Sequence, residues 1–443
     1  MSTSAPDVRL RACFQDIRPR LDGLPTEALA RKSGFLKRKP RKIPIPDLTA
    51  ALAALGAETH LTLERVVAAI RLAADETYTK QAFHERLTPA IAEFLTLVAA
   101  ALLPSAAGAA GQPGWARHFP RVLLQDSTCL PLPDALAKAF PGSRNQRRRQ
   151  GGTLKLQFIT DLVGAAVVDW SLSGFTRNDQ AAAVDILDLV RPGDLVLRDL
   201  GYCVLKGFRR LDERGAFFLS RARLDLNFYD PATGQKLDLY RHLKTQPHWD
   251  GWVLAGEDKV RLRLVAEPVA EDVANERRRK ARGNRDRRLN PSPERLFLLG
   301  WNLFLTNVPA TVWPPKALFW VYRLRWRIEI VFKAWKSHLR FTELNVRNEL
   351  LVRLSVLTKL LFCLLVVKGA DTLESCSGPA RQVSLLRFAR VMGHCACLFA
   401  AAVLRVTPAD WLAHQVRHLI DYEPRTDRKN FYELIKFGDA GLT

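Results

Sequence analysis

Apolar positions recur at two different periods along this chain, and the change of period divides it. Up to about residue 105 the spacing is helical, with helix-like composition at 47–55, 63–74 and 80–87. Residues 105–114, rich in alanine and glycine, read as a linker. From Arg121 short apolar runs take over. Residues 121–128 form a buried-type strand ending in polar residues, and Leu130-Pro-Leu-Pro133 stops regular structure. Runs at 154–160 and 165–172, separated by Asp161-Leu-Val-Gly164, predict a hairpin. Residues 179–190 predict a helix, 194–199 a short strand, 200 to about 214 a further helix, and 217–220 a fifth strand. Between 226 and 265 the pattern is β again, at 226–229, 237–240, 252–255 and 260–265. Asp230-Pro-Ala-Thr-Gly234 is a tight turn between the first two of these. Strand-like residues resume at 296–308, and the tail after about 342 is helical. Residues 351–367 are the most apolar run, but Arg353 and Lys359 interrupt them, which predicts a buried core helix rather than a membrane span.

Residues 322–336 predict one helix in which chemistry is concentrated. Pro314 and Pro315 precede it, where a helix start tolerates proline, and neither glycine nor proline interrupts it. At 100° per residue, Tyr322, Arg325, Glu329, Lys333 and Lys336 fall within about 80° of one another. Val321, Leu324, Ile328, Val331, Phe332 and Trp335 take the neighbouring arc, suited to a core. Arg323, Arg327 and Ala334 take a third face suited to water, flanked by Trp326 and Ile330. A single carboxylate among cations is what a metal-dependent phosphodiester site needs: the acid holds the metal and the basic groups hold phosphates. A solvated helix with ion pairs such as Arg325–Glu329 uses the same residue types.

The spacing Y-x2-R-x3-E-x6-K is complete in Tyr322, Arg325, Glu329 and Lys336. It resembles the signature of DDE transposases of insertion-sequence family four, the cut-and-paste bacterial insertion elements. That family supplies two upstream aspartates. Three strands, a helix, a strand, a helix and a strand is the order of a ribonuclease-H-like fold, whose first and fourth strands are parallel neighbours. Asp126 and Asp199 close those two strands, the second within Asp199-Leu-Gly-Tyr202, similar to the family's D-x-G-Y. An aspartate at a strand end is by itself an ordinary turn residue. Two in fold-consistent places, with the Y-R-E-K helix downstream, are not. Among the competitors, Asp161 sits in a hairpin turn, Asp194 opens its strand, and Asp169 lies inside its strand and stays open.

The expected architecture is therefore α/β: a ribonuclease-H-like catalytic core interrupted by a β-rich insertion, with helical N-terminal and C-terminal regions. The divisions are a helical DNA-binding region over 1–105, core at 120–223, insertion at 224–295, core again at 296–345, and a helical region at 346–443. The resemblance implies the inserted β domain, and it implies dimerisation through the C-terminal region.

Charge changes the picture of partners. The 443 residues hold 67 basic and 45 acidic side chains, a formal excess of +22. Such an excess points to a polyanion, most simply nucleic acid, with an anionic membrane surface as runner-up. Basic stretches recur at 37–42, at Asn145-Gln-Arg147-Arg148-Arg149, and at 276–288, where eight basic residues meet two acidic ones. The last reads as a loop that either tracks a DNA backbone or is simply solvated. Residues 77–86 resemble a recognition helix capped by Thr79 and carrying Lys80, Gln81, His84 and Arg86; a small helical bundle with a basic surface reads the same way. Seven cysteines, an odd number without a disulfide framework, suit a reducing cytoplasm, where a DNA-directed protein is nucleoid-associated. His394-Cys395-Ala-Cys397 has no second cluster facing it and is set aside as a zinc site. The opening residues lack a basic region followed by an apolar one, so no signal peptide is expected.

What the resemblance implies is concrete. Asp126, Asp199 and Glu329 bind two magnesium ions, with manganese as an alternative, because hard carboxylate oxygens suit these ions. Arg325, Lys333 and Lys336 neutralise phosphates and Tyr322 hydrogen-bonds one. Trp301 either stabilises a flipped base, as a nearby tryptophan does in relatives, or packs against the sheet. The substrate is double-stranded DNA, as element ends and target, cut and joined within a synaptic homodimer, through a hairpin or without one. No nucleotide cofactor and no membrane are called for. A domesticated DNA-binding copy and a nuclease without strand transfer are the alternatives.

Overall fold

The apolar runs between residues 122 and 306 pair into one mixed sheet of ten strands in the computed structural model. The structure describes residues 5–38, 43–74, 76, 78–102, 116–144, 150–162, 166–283, 291–344, 348–376 and 383–417. The basic loop with Arg147, Arg148 and Arg149, the 105–114 linker, residues 39–42 and 285–288, and the tail beyond 417 lie outside these. The strands are β1 (Val122–Leu132), β2 (Pro141–Arg144), β3 (Gln150–Asp161), β4 (Ala166–Gly174), β5 (Leu195–Arg198), β6 (Phe217–Arg221), β7 (Phe228–Tyr229), β8 (Trp249–Ala255), β9 (Val260–Pro268) and β10 (Trp301–Thr306). Their order is β2-β3-β1-β5-β6-β10-β9-β8-β7, with β4 also pairing β3. β1 and β5 run parallel, with Val122 opposite Leu195 and Gln125 opposite Arg198. β5 and β6 are parallel too, while β10 is antiparallel to both β6 and β9. The strands of the 224–295 segment thus continue the same sheet through β9 and β10.

Seventeen helices accompany the sheet among the described residues. Before it come α1 (Ala5–Asp22), α2 (Thr26–Lys32), α3 (Ile45–Ala54), α4 (Leu63–Ala74), α5 (Lys80–His84) and α6 (Pro89–Leu102). Between strands lie α7 (Asp179–Ala182), α8 (Leu205–Glu213), α9 (Leu239–Thr245), α10 (Glu271–Arg282) and α11 (Pro293–Leu298). After it follow α12 (Pro315–Arg323), α13 (Trp326–Ser337), α14 (Glu349–Ser375), α15 (Leu385–His394), α16 (Ala396–Leu404) and α17 (Ala409–Val416).

The two ends of the chain build one helical layer. A single core runs from Leu10 and Phe14 through Ile70 and Phe94 to Trp335, Leu361, Phe399 and Val416, and takes in one face of the sheet at Leu124, Leu156 and Phe158. The other face packs under α8 with Phe208, Phe218, Val196 and Leu264. α14 is the axis of the layer. It is long and apolar enough to cross a membrane, yet 78% of its apolar window is buried inside the protein. Arg18 of α1 shows how tightly the ends are tied: it donates to Asp22 at 2.8 Å, to Asp47 of α3 at 2.5 Å and to the Val403 carbonyl of α16 at 3.3 Å.

Several local expectations give way to tertiary structure. β1 continues through Pro131, because only β3 pairs with it there and the missing N–H faces an unpaired side. The expected helix at 179–190 shrinks to one turn plus a 3-10 turn at Asp185–Asp188. The carbonyls of Ala182 and Ala183 are taken by the Gln125 and Arg198 side chains. Leu239 and Tyr240 begin a helix, not a strand, because Asp238 caps the Arg241 N–H at 2.9 Å. Most of the expected basic loop is α10, whose acidic first turn (Glu271, Asp272) and basic last turn (Arg279, Lys280, Arg282) match the helix dipole.

Gly56, in a 3-10 turn after α3, lies so close to α14 that a Cβ there would overlap the Thr358 carbonyl oxygen and the Phe362 Cβ. Gly56→Ala should therefore lower stability by about 1–3 kcal/mol, read as a shift in the urea midpoint at constant slope.

Candidate active site

The register of β1 and β5 puts Asp126 and Asp199 side by side, one residue beyond the last paired positions, Gln125 and Arg198. Asp126 Oδ1 accepts from the Ser127 N–H at 2.8 Å. Asp199 opens a 3-10 turn, Leu200–Tyr202, and its side chain is 42% exposed, against 16% for Asp126.

The helix expected at 322–336 is two helices. The N–H groups of Leu324 and Arg325 reach carbonyls three residues back, Val321 at 3.0 Å and Tyr322 at 3.1 Å. Side chains three apart eclipse in such a turn, so Tyr322 and Arg325 come into line. Aromatic anchors explain where the joint falls. α12 rests on β10, with Phe304 5.1 Å from both Phe319 and Tyr322. α13 rests on β3, with Phe158 5.9 Å from Phe332 and 5.3 Å from Trp335. In the strand order β3-β1-β5-β6-β10, the joint passes over the two aspartates. Phe158 is the β3 partner of Asp126, so the anchor of α13 stands beside it.

The joint carries Arg325, only 8% exposed, into all three carboxylates. Its Nη2 is 2.6 Å from Glu329 Oε1, its Nη1 3.6 Å from Asp126 Oδ2 and its Nε 3.6 Å from Asp199 Oδ1. The Tyr322 hydroxyl donates to Asp199 Oδ1 at 3.2 Å. Burial pushes the Asp126 carboxyl up to about 6, with Asp199 and Glu329 adding to it and Arg325 opposing. Burial, followed by the Asp199 charge, pushes the Tyr322 hydroxyl up. Burial works against the charge on Arg325, but Tyr322, Asp199 and Glu329 outweigh it and hold the guanidinium protonated. As the side chains stand, no group of three histidine, cysteine or carboxylate side chains among the described residues is disposed to hold a metal ion. Arg325 bridges the trio instead. The donor chemistry still fits a divalent cation: three carboxylates of hard oxygen face one guanidinium, and one of them, Asp126, is held well above its usual range by burial, with its two acidic neighbours adding to the shift.

The remaining expected residues are dispersed. Lys333 is exposed and Lys336 half-buried on α13. Ala334, expected in water, is fully buried, whereas Trp326 and Ile330 are 57% and 45% exposed. Trp301 opens β10 at 9% exposure, its ring 6.0 Å from Phe297. Lys80 opens α5, a helix of five residues capped by Thr79, and pairs with Glu64 of α4 at 2.5 Å. Of the competing aspartates, Asp161 accepts from the Val122 N–H, and Asp194 is fully buried against Arg121 at 2.5 Å. Asp169 is half-buried on β4, and burial raises its carboxyl. Sequence reasoning missed Ser127, Lys155, Gln157 and Asp179, which gather beside the aspartates. For Lys155 and Gln157 the signal was there: on β3 they are polar at every second position, alternating with Leu154, Leu156 and Phe158.

A mixed sheet with paired aspartates on parallel neighbours, beneath a helix bearing a glutamate, fits a ribonuclease-H-like core for phosphoryl transfer. Comparison with known proteins gives the same class. A family model described as the transposase DDE domain matches residues 117–365, which contain all three acids. The chain belongs to the DDE transposase family of insertion sequences. It is 28% identical over 335 residues to the transposase for insertion sequence element IS231B of Bacillus thuringiensis subsp. berliner, covering 70% of each chain. It is 30% identical over 241 residues to that of IS231F of Bacillus thuringiensis subsp. israelensis, covering 50% of each. The transposase for IS1151 of Clostridium perfringens is 25% identical over 251 residues, 52% of each chain. Among solved structures, a piggyBac transposase synaptic complex with hairpin DNA aligns at TM-score 0.42 and 9% identity, over 95% of this chain and 86% of that one. That likeness is too loose to position any residue.

The raised Asp126 carboxyl has a consequence for stability. Its value near 6 lies above the usual 3.8, so its contribution is fully present below pH 4 and lost as pH rises through 6. Without divalent ions, Asp126→Asn should exceed the wild type by up to about 3 kcal/mol at pH 7, the gap closing toward pH 4. Urea denaturation in a chelator at the two pH values measures it, and a gap independent of pH would contradict the burial argument.

Proposed function

We propose that this chain binds the terminal inverted repeats of a bacterial insertion sequence and cuts and joins DNA there by metal-dependent phosphoryl transfer. The observation that carries this reading is the convergence of Asp126, Asp199 and Glu329 on one guanidinium at the joint between α12 and α13. The family membership supports the reaction class.

In this reading the three carboxylates hold two divalent ions, magnesium or manganese. Ions held there would supply Lewis-acid activation of a water or 3′-hydroxyl nucleophile and stabilisation of the leaving oxygen. Arg325 has two uses. It neutralises the carboxylates, as in this structure, and its planar fork suits a strand phosphate. Tyr322 steadies Asp199 and is also the proposed phosphate donor. Lys333 and Lys336 supply point charges along the same helix. Trp301 serves the sheet, a role supported by its burial. Further DNA contacts fall to exposed cations. On α10, Arg277 and Arg278 donate to the carbonyls of Leu296, Leu299 and Trp301, whereas Arg279 and Arg282 are exposed and suit a DNA backbone. Lys80 and the Arg147–149 loop complete the proposed interface. The active form is a homodimer in the synaptic complex, acting in the cytoplasm on the nucleoid, without a nucleotide cofactor.

Four measurements test this. Glu329→Gln should lower cleavage of DNA carrying the element's ends by on the order of 10³-fold while leaving DNA affinity intact. Wild-type-like excision would remove the carboxylate from the mechanism. A joining assay with a target plasmid separates a transposase from a nuclease, and denaturing gels distinguish hairpin from open ends. Affinity for end DNA should drop by about 10³-fold or more between 50 and 200 mM salt if six or more phosphates are neutralised.

A further inference from the structure

The segment Asn178–Ala183 lies against β1 and β5 and is tied to the strands at both ends. At its start, Asp179 Oδ1 takes three side-chain partners: Lys155 Nζ at 2.6 Å, Ser127 Oγ at 2.9 Å and Gln157 Nε2 at 3.3 Å. At its end, the Ala182 carbonyl accepts from Gln125 at 2.8 Å, and the Ala183 carbonyl accepts from Arg198, which also donates to Gln125 at 3.2 Å. Gln125 and Arg198 are the cross-strand pair that directly precedes the two aspartates. Arg198 is fully buried and has no carboxylate among its hydrogen-bond partners.

The turn after Asp199 is pressed onto the same residue. A Cβ on Gly201 would come within 3.1 Å of Asp179 Oδ2 and 3.3 Å of Asp179 Cβ, closer than such atoms ordinarily approach. One residue on, the Tyr202 hydroxyl, 1% exposed, donates to Gln157 Oε1 at 2.6 Å. Asp179 therefore touches the flank of each aspartate: Ser127 beside Asp126, and Gly201 two residues after Asp199. Burial alone would raise its carboxyl, but the bonds from Lys155 and Ser127 hold it below the usual range, so it is ionised.

We propose that Asp179, locked by Lys155, Ser127 and Gln157, is a positioning residue that sets the spacing of Asp126 and Asp199 by clamping the Asp199-Leu-Gly-Tyr202 turn against β1 and β3. Glycine is required in that turn for close approach, and tyrosine for its bond to Gln157. Asp179 makes no contact with the three acids and acts through their neighbours, as the partners of metal ligands do elsewhere. The inference rests on the reading of Asp126 and Asp199 as metal ligands.

The test is Mn²⁺ binding to the full-length, DNA-free protein, followed by electron paramagnetic resonance, with end-DNA affinity and melting temperature measured in parallel. Asp179→Ala should weaken Mn²⁺ binding about 10–100-fold and leave DNA affinity within about threefold, and Asp179→Asn, which keeps the shape and loses the charge, should fall between. Asp199→Asn is the control. If it weakens Mn²⁺ binding and Asp179→Ala does not, the clamp is overturned; if Asp199→Asn has no effect, the ligand reading fails instead. Should Asp179→Ala not fold, Gly201→Ala decides. It keeps every polar group and adds one methyl, so a comparable loss of Mn²⁺ affinity supports the clamp and wild-type affinity refutes it.

Discussion

The parallel pairing of β1 with β5 is the constraint on which the rest of this structure depends. Backbone hydrogen bonds hold Gln125 opposite Arg198, and the next residue on each strand is an aspartate. Two carboxylates are thereby forced together in a partly dry place, a costly arrangement unless positive charge comes to them. Arg325 comes to them, and Tyr322 adds a hydrogen bond. The pinch between α12 and α13 is the local backbone geometry that lets both side chains of one helical stretch reach Asp199.

That pinch holds because each helix is anchored separately, one to β10 and the other to β3. Behind them, α14 is enclosed by helices from both ends of the chain. Lys359 of α14 donates to the Glu58 carbonyl at 2.9 Å, and the α3 terminus meets it at Gly56 without a side chain between them. The helical layer therefore backs the site from residues some 300 positions apart in sequence. On the far edge, β7 to β9 extend the sheet instead of starting a new one. Arg263 ties that edge to the core by donating to the carbonyls of Val308 and Trp313 at 3.1 and 2.9 Å while pairing with Asp250.

Much of this was legible in the residues. The apolar runs located β1, β3, β4, β5 and β6, and their order implied which strands are neighbours. The turn at Asp230 was legible because an aspartate side chain bonds nearby backbone: Asp230 Oδ1 accepts from the Ala232 and Thr233 N–H groups at 2.8 Å, and Gly234 takes φ +69°. Where the reading failed, a distant group had taken over a local one. Residues 179–190 have helical composition, yet side chains from β1 and β5 claim the carbonyls at 182 and 183. Ala334 falls on the solvent arc of a helical wheel, yet is buried once α13 lies between the sheet and α15. Asp179 looked like the first residue of a helix and nothing more, because its partners lie 24 and 52 positions back in the chain.

The sequence by itself determined most of the strands of the core and the reaction class, and it offered Asp126, Asp199 and Glu329 as candidate acids, because periodicity and motif spacing are local quantities written along the chain. Only the tertiary structure decided that the Y-R-E-K stretch bends over the aspartates, that Arg325 bridges all three acids, and that Asp179 bonds Ser127, Lys155 and Gln157 beside them. Those outcomes depend on strand register and on which buried donors find which acceptors, and both are settled between segments far apart in the chain.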